Sequence, residues 1–367
     1  MKIGCVKEIK TQEYRVGLVP EHVKTFVIHG HDVYIEKGAG LGSGFSDEAY
    51  LNMGAQIIDN ANDVWEKSEL LIKVKEPIES EYKYFRKDLI LFTYLHLAAN
   101  EKLTKALLNS KMTALAYETL EVNNTLPLLK PMSEIAGRLS IQEAAKYLEK
   151  PMGGKGVLLA GVPGVKKGHV LILGAGNAGL NAAKVAVGMG ANVTILDRNI
   201  LKLEEIEQIY GDRIQTLYST QATIEKLLPT VDAVIGAVLI AGAKTPHLIS
   251  RDELKLMEKG SVLVDIAIDQ GGCFEMSHPT THNDPIFEVD GIIHYCVANM
   301  PGAVAMTSTV SLTNAAFHYE LLIADNGLKN AVIKENALKS AINTYNGQCI
   351  HPAVAQTFGL EVESYHV

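Results

Sequence analysis

The sequence of 367 residues is long enough for two domains, and its 47 % of hydrophobic residues are enough to bury two sizeable cores. Its 34 basic and 42 acidic residues give a formal net charge of −8 without a basic stripe, which argues against a nucleic-acid partner or an anionic membrane surface. No uncharged run approaches the roughly 20 apolar residues that a membrane span needs, so we expect no membrane association.

The cysteine pattern and the first residues bear on the cellular compartment. Cys5, Cys273, Cys296 and Cys349 are scattered and form no CxxC pair, which favours free thiols in a reducing compartment over a disulfide framework. Residues 1–8 predict a strand that contains charged side chains and not a signal peptide. These features predict a cytoplasmic protein.

Short apolar runs alternate with helical stretches in the first part of the chain, which is typical of a parallel α/β protein. A first strand is predicted over 3–6. A helix is predicted from Pro20 to about Gly30, because proline at a helix start lacks only an N–H that the first turn does not use. Further strands are predicted over 32–35, 70–74, 89–94 and 113–116. We expect these strands to form one open sheet.

The second part of the chain has the pattern of a dinucleotide-binding domain. A helix is predicted from about Ser133, and a glycine-rich patch follows over 153–164. Six strands with helices in most of the intervals are then predicted over 169–173, 192–196, 213–217, 231–235, 261–265 and 292–296. Six strands with crossover helices are the full complement of such a domain.

The last part of the chain is predicted to be helical. One helix is expected over 307–323 with a stop at 325–327, and a second helix is expected to run to about 346–347. About 60 terminal residues are too few for a third domain, so we expect them to pack on the first one. The predicted fold class is α/β, with two doubly wound parallel-sheet domains. A Rossmann domain over 129–305 is inserted into a discontinuous substrate domain over 1–128 and 306–367.

Residues 174–179 form a GxGxxG motif between a predicted strand and a predicted helix, which is the context that a dinucleotide fingerprint requires. Gly174 permits the tight turn, Gly176 lets the backbone approach a pyrophosphate, and Gly179 lets the helix pack closely on the strand. The helix N-terminus adds N–H groups and a dipole that favour phosphate. A glycine turn without a ligand is the alternative, and it fits this context poorly.

The residue at the end of the following strand indicates which dinucleotide binds. Asp197 lies about 20 residues after the motif, where a carboxylate accepts hydrogen bonds from the ribose hydroxyls and repels a 2′-phosphate. Arg198 argues in the opposite direction, since arginine accommodates a 2′-phosphate. The sequence predicts NAD as the cofactor.

Four polar side chains follow apolar strands, where ligands of α/β sheets bind. Arg15 and Lys75 suit a substrate carboxylate, whereas His96 and Asp269 suit proton transfer. Each has an alternative reading: a core histidine, solvated or salt-bridged cations, and a turn aspartate before Gly-Gly. The spacing of the four residues alone leaves these alternatives open.

Metal-dependent and serine-hydrolase chemistry have no support in the sequence. His278 and His282 are four residues apart, but Pro279 argues against a helix that presents both to one ion. No HExxH, CxxC or GxSxG motif is present, so we expect no metal site.

Over essentially its whole length the sequence resembles the bacterial alanine dehydrogenases. The matching stretches are EYRV at 13–16, LIKVKEP at 71–77, TYLHLA at 93–98, PMSEIAG at 131–137, GKGVLL at 154–159, DIAIDQGG at 265–272 and VANMPGA at 297–303. Saccharopine dehydrogenases and the transhydrogenase domain share the architecture but fewer of these stretches. These two enzymes, together with a non-catalytic NAD-binding regulator, are the alternatives.

The resemblance implies a reaction and a role for each candidate. Arg15 would pair with the substrate carboxylate, and Lys75 would hold the carboxylate or carbonyl oxygen. His96 would be the general acid/base, and Asp269 would position or activate water or ammonia. The implied reaction is the reversible NAD-dependent oxidative deamination of L-alanine to pyruvate and ammonium. The resemblance also implies L-alanine catabolism and a homohexamer.

The resemblance and the glycine motif together give a set of cofactor contacts. At His278 the sequence departs from the arginine expected in some relatives. The expected contacts are Ser133, Gly174, Gly176, Ala178, Gly179, Asp197, Lys202, Ser219, Val238, Leu239, Ile266, Ala267, Ile268, Asp269, His278, Ala298, Asn299, Met300 and Pro301.

Overall fold

The computed structural model describes residues 1–238 and 246–365, which cluster into two compact units. The discontinuous unit comprises Met1–Met132 and Val304–Val367, and the inserted unit comprises Ser133–Ala303. Within the described residues, no helix combines the length and the apolar character that a bilayer crossing requires.

The first 147 residues contain six strands and five α-helices. The predicted helix start at Pro20 is confirmed, and the buried Pro20, Val23 and Phe26 recur at the spacing of one helix face. The strands are β1 (Lys2–Cys5), β2 (Asp32–Glu36), β3 (Gln56–Ile58), β4 (Leu70–Ile72), β5 (Ile90–Thr93) and β6 (Thr113–Ala116). The helices are α1 (Pro20–Ile28), α2 (Asp47–Asn52), α3 (Ala61–Lys67), α4 (Glu101–Ser110) and α5 (Lys130–Tyr147).

The inserted unit carries a seven-stranded sheet, in which all six predicted strands are present. Its strands are β7 (His169–Leu173), β8 (Asn192–Asp197), β9 (Gln215–Tyr218), β10 (Ala233–Gly236), β11 (Val262–Asp265), β12 (Ile286–Val289) and β13 (Ile292–Tyr295). Its helices after α5 are α6 (Asn177–Gly188), α7 (Ile200–Tyr210), α8 (Gln221–Leu227) and α9 (Arg251–Leu254).

The chain ends with three helices and a hairpin in the discontinuous unit. These elements are α10 (Ala305–Lys334), α11 (Ala337–Ala341), β14 (Ile342–Tyr345), β15 (Gln348–Cys349) and α12 (Pro352–Phe358). The predicted stop at 325–327 is a kink, because Gly327 has φ 71° and ψ 157° and the helix resumes to Lys334. The predicted helix to 346–347 is wrong, since β14 and β15 form a hairpin around Asn346 and Gly347.

Both sheets have the strand order of a doubly wound fold. The parallel strands run β6-β5-β4-β1-β2-β3 in one sheet and β13-β11-β10-β7-β8-β9 in the other. In each sheet the chain starts at a central strand, β1 or β7, and adds the next two strands on one side. It then returns to the centre and adds the later strands on the other side. One edge of each sheet is antiparallel. In the first sheet this edge is the hairpin of β14 and β15, which pairs with β6, and in the second sheet it is β12, which pairs with β13. The predicted α/β class with two doubly wound sheets is confirmed.

Candidate active site

Three of the predicted site residues lie at the carboxyl edge of the sheet in the discontinuous unit. Arg15 lies in the loop after β1, Lys75 follows β4, and His96 follows β5. The strands β5, β4 and β1 are immediate neighbours and parallel, so the segments that follow them leave the sheet at one edge. Burial lowers the pKa of Lys75, and the nearby charge of Arg15 lowers it further.

Arg15 is held by a two-pronged bond to a neighbouring carboxylate. Its side chain is only 2 % exposed, and Nε and Nη2 each donate to a different oxygen of Glu13 at 2.6 Å. Burial lowers the pKa of Arg15, but the hydrogen bonds and charge of Glu13 outweigh it and leave the pKa raised. The guanidinium is therefore cationic and fixed in its plane. The salt-bridged alternative for Arg15 is thus confirmed, and contact with a substrate stays a prediction.

The backbone that presents Lys75 is fixed by a second glutamate. Glu8 Oε1 accepts hydrogen bonds from the N–H of Val74 at 2.6 Å and of Lys75 at 3.2 Å. The other oxygen of Glu8 lies 3.2 Å from Nζ of the fully buried Lys73, which also contacts Glu81 at 3.0 Å. The buried ammonium of Lys73 is therefore paired with two carboxylates, which offsets the cost of its burial.

His96 has a left-handed backbone with φ 48° and ψ 38°, which is uncommon for a residue other than glycine. This conformation costs roughly 1–2 kcal/mol for an L-residue. The imidazole is exposed and lies parallel to the ring of Tyr94, with centroids 6.0 Å apart. The alternative reading of a core histidine is therefore wrong.

The glutamates at this edge were not predicted from the sequence. Glu8, Glu13 and Glu118 contact the segments that carry the three predicted site residues. The rule that selected Arg15 and Lys75 also applies to these carboxylates, since Glu8 follows β1 and Glu118 follows β6. The rule therefore extends to Glu8 and Glu118, but it does not indicate which backbone groups they contact.

In the inserted unit, the glycines of the 174–179 motif lie in the turn between β7 and α6. Gly174 has φ 103°, and an added Cβ would lie 2.8 Å from the carbonyl oxygen of Ala237. A Cβ on Gly179 would collide with the carbonyl oxygen of Gly174, whereas one on Gly176 would have no atom within 4 Å. The fold therefore requires Gly174 and Gly179. The open space beside Gly176, at a helix N-terminus without a side-chain cap, fits the close approach of a pyrophosphate.

Asp197 joins this turn to the next helix. One carboxylate oxygen accepts from the N–H of Ala175 at 2.7 Å, and the other accepts from the N–H of Asn199 at 2.8 Å. A carboxylate has about four acceptor positions, so these two bonds leave capacity for ribose hydroxyls. The residue is half-buried at the end of β8, which fits the ribose-binding position of an NAD site.

Most of the other predicted cofactor residues follow the carboxyl ends of strands in the same sheet. The exceptions are Ser133, Ala178 and Lys202, which lie on α5, α6 and α7, and His278, which lies between β11 and β12. The strand-end residues are Ser219 after β9, Val238 after β10, Ile266, Ala267, Ile268 and Asp269 after β11, and Ala298, Asn299, Met300 and Pro301 after β13. Leu239 lies outside the described residues.

Asp269 is exposed on the short 3₁₀ turn Ile268–Gln270, which directly follows β11. The segment around it is fixed by Asp265, whose carboxylate is fully buried. Asp265 accepts from the N–H of Cys273 at 2.7 Å and from the hydroxyl of Ser277 at 2.5 Å. Burial raises the pKa of Asp265 despite these bonds. A turn role and a ligand-facing role for Asp269 are both compatible with this arrangement.

His278 is exposed and belongs to a stack of three rings. It lies 3.8 Å from the ring of Phe287, which in turn lies 4.9 Å from the ring of the buried His294. This stacking fixes the plane of the His278 imidazole. The contact of His278 with the cofactor stays a prediction.

Comparison with known proteins places these features in a family. Residues 4–136 match the N-terminal domain and residues 140–352 match the C-terminal domain of the family described as alanine dehydrogenase/PNT. An alanine dehydrogenase from Staphylococcus haemolyticus is 53 % identical over 366 residues, covering 99 % of this chain and 98 % of that protein. An alanine dehydrogenase from Bacillus subtilis is 52 % identical over 362 residues, covering 98 % and 96 %.

Solved structures agree with the sequence comparison. A solved L-alanine dehydrogenase superposes with a TM-score of 0.95 at 50 % identity, covering 98 % of this chain and 99 % of the other. A transhydrogenase from Sinorhizobium meliloti gives a TM-score of 0.82 at 24 % identity over 96 % of this chain and all of the other, and shares the fold. Because the two family models match almost the whole sequence and full-length relatives share half of its residues, the chain belongs to the alanine dehydrogenase/PNT family.

Proposed function

We propose that this protein is an NAD-dependent L-alanine dehydrogenase, which converts L-alanine reversibly to pyruvate and ammonium. The full-length identity of 53 % to an enzyme of that name carries the proposal. The geometry supports it, because Arg15, Lys75 and His96 follow three neighbouring strands at one sheet edge. A saccharopine dehydrogenase, a transhydrogenase and a non-catalytic regulator are not favoured by this comparison.

We assign the substrate carboxylate to Arg15 and Lys75. Glu13 balances the charge of Arg15, so the guanidinium acts mainly as an oriented donor of hydrogen bonds. Lys75 supplies positive charge that no described carboxylate neutralises at salt-bridge distance. A partly buried ammonium attracts a carboxylate more strongly than an exposed one does, because water screens it less.

We assign proton transfer to His96 and the handling of water and ammonia to Asp269. Bound NAD would supply the acceptor for the hydride on Cα of alanine. Loss of the hydride from the neutral amine leaves an iminium, to which water adds, and the resulting carbinolamine expels ammonia to give pyruvate. His96 takes and returns the protons of these steps, and Asp269 stabilises the iminium charge and orients the water. The overall reaction consumes alanine, NAD⁺ and water and yields pyruvate, ammonium, NADH and a proton.

We also propose that NAD is used in preference to NADP. Asp197 has acceptor capacity for two ribose hydroxyls and carries a negative charge that repels a 2′-phosphate. The remaining strand-end residues of the inserted unit would line the nucleotide, and Gly176 would lie against the pyrophosphate.

The test is the initial rate of NADH formation with L-alanine and NAD, beside matched reactions with L-serine, L-saccharopine and NADP. We expect a clear preference for alanine and NAD. Absence of turnover with alanine, in folded protein that binds NAD, would contradict the proposal and favour a non-catalytic NAD-binding regulator. A preference for saccharopine would indicate the related dehydrogenase.

We further propose that the enzyme is a cytoplasmic homohexamer that serves L-alanine catabolism. The resemblance to bacterial alanine dehydrogenases supports this assembly, and the four buried free cysteines fit a reducing compartment. Light scattering coupled to size-exclusion chromatography tests the assembly, with six times the 39.8 kDa chain mass as the expected result. A monomeric mass in active protein would contradict it.

A further inference from the structure

The conformation of His96 needs a cause beyond its own sequence position. Its φ of 48° lies in the left-handed region, and the chain has just left the buried strand β5. Strained backbone of this kind persists only where surrounding groups hold it, and it concentrates at functional sites. The group that holds this turn is therefore part of what aims the imidazole.

One carboxylate binds the backbone of the turn. Oε1 of Glu118 accepts a hydrogen bond from the N–H of His96 at 2.6 Å and one from the N–H of Leu95 at 3.1 Å, and Oε2 lies 3.2 Å from the latter nitrogen. Bonds from N–H groups to an ionised acceptor are about twice as strong as bonds between neutral groups. The side chain of Glu118 thus ties two successive amides of the left-handed turn.

The register between β5 and β6 places Glu118 beside the turn at His96. Strands β5 and β6 are parallel neighbours, with Thr93 opposite Ala116. Two residues beyond each member of that pair lie Leu95 and Glu118, so both segments leave the sheet together. Tyr94, which precedes Leu95 in the chain, is anchored by a 2.6 Å bond from its hydroxyl to the carbonyl oxygen of Leu128, and its ring stacks on the imidazole of His96.

We propose that Glu118 is a positioning residue for His96, which holds the left-handed turn and thereby aims the imidazole at the substrate. Glu118 bonds to the backbone and not to the imidazole, so it acts on the reaction only through His96. This inference rests on the proposed function, in which His96 transfers protons.

The first test measures the turn without measuring activity. In Glu118→Gln the charge is lost and an amide N–H₂ replaces one acceptor, so the amides of Leu95 and His96 are held more weakly. We expect amide hydrogen exchange in a peptide covering 94–100 to become about tenfold faster than in the wild type. The control is Glu121→Gln, an exposed carboxylate on the same segment, whose exchange should match the wild type. Unchanged exchange in Glu118→Gln would overturn the proposal.

The second test is a double-mutant cycle on turnover. We expect Glu118→Gln to lower kcat by about tenfold with KM values within about twofold, because proton transfer is misaligned while binding groups stay in place. In a His96→Ala background the same change should have no further effect, since residues that act as one unit are not additive.

A purely structural role for Glu118 gives a different outcome. The Glu118→Gln change would then lower the residual turnover of His96→Ala by the same factor as in the wild type, which would overturn the proposal. Failure of the proposed function would give a different result from failure of this proposal. If the proposed function is wrong, the wild-type protein will not oxidise alanine at all, while the exchange experiment will still report on the turn.

Discussion

Among single residues, each one in the discontinuous unit that we assign to substrate binding or proton transfer is held by a glutamate. The contacts differ in kind, since one glutamate binds a side chain and the other two bind backbone N–H groups. The pairs are Glu13 with Arg15, Glu8 with Lys75, and Glu118 with His96. Preorganisation of this kind removes reorganisation from the reaction step, which is where most catalytic advantage arises.

The proton-transfer role predicts a specific pattern for His96→Ala. We expect kcat to fall by about 10²- to 10⁴-fold, because a positioned acid/base contributes that much to the rate. NAD affinity should not change, since the residues assigned to the cofactor belong to the inserted unit. Steady-state kinetics and equilibrium NAD binding measure the two quantities. The exposed His318 on α10 gives the matched control, and His318→Ala should keep full turnover.

The lowered pKa of Lys75 predicts a pH dependence of pyruvate binding. Burial first and the charge of Arg15 second lower this pKa from the ordinary 10.5, so the ammonium loses its proton at a lower pH than a free lysine. Pyruvate affinity should therefore weaken as the pH rises through the folded-state pKa. Lys75→Arg keeps its charge throughout and should show a flatter profile over the same pH range. Parallel profiles for the two proteins, measured by equilibrium pyruvate binding, would contradict the assignment.

The polar residues that follow the strands could be predicted from the sequence, but the groups that hold them could not. The strand-end rule found Arg15, Lys75 and His96, because a polar residue interrupts an apolar run at each place. The left-handed turn at His96 and the bond from Glu118 depend on which strands are neighbours in the sheet, a long-range property. That is why the positioning contacts could not be read from the residues alone.

At the scale of elements, the turn between β7 and α6 separates glycines that the fold requires from one that it does not. Gly179→Ala would place a methyl group against the carbonyl oxygen of Gly174, so we expect a marked fall in melting temperature. Gly176→Ala meets no protein atom within 4 Å, so stability should stay close to wild type while NAD affinity falls. Calorimetry and NAD titration measure the two effects. An unchanged NAD affinity in Gly176→Ala would argue against the pyrophosphate position.

Two hairpins were missed for one shared reason. Asn346-Gly347 joins β14 to β15, and Asp290-Gly291 joins β12 to β13, with positive φ at all four residues. Asn-Gly and Asp-Gly are the residue pairs that form two-residue hairpin turns, so the local signal was available. The alternation of apolar runs and helices predicted the central parallel strands, but it missed these antiparallel strands and also the short parallel edge strand β3.

At the scale of the whole molecule, a buried carboxyl group on α10 makes stability depend on pH. Burial raises the pKa of Glu320 to about 8, although a 2.9 Å hydrogen bond from the hydroxyl of Tyr117 lowers it in part. Within the described residues, the second carboxyl oxygen has no hydrogen-bond partner. Between the ordinary pKa of 4.5 and the folded-state pKa of about 8, the carboxyl group is therefore protonated in the folded protein and ionised in the unfolded chain.

This shift has a defined sign. Because the folded-state pKa of about 8 lies above the ordinary 4.5, the contribution of Glu320 to stability is full below the ordinary value and is lost as the pH rises through about 8. Glu320→Gln removes the ionisation. The melting temperature of the variant, relative to wild type, should therefore rise between about pH 5 and pH 9. A difference that stays constant over this range, as expected for the exposed control Glu121→Gln, would contradict the shift.

Transfer of an isotope from Cα of alanine to NAD shows whether the protein catalyses the proposed hydride step. The protein is incubated with L-alanine deuterated at Cα and with NAD, and the NADH and pyruvate formed are analysed by mass spectrometry. We expect NADH that carries the deuterium, together with pyruvate and ammonium in equal amounts. NADH without deuterium, or no NADH from protein that binds NAD, would contradict the claim.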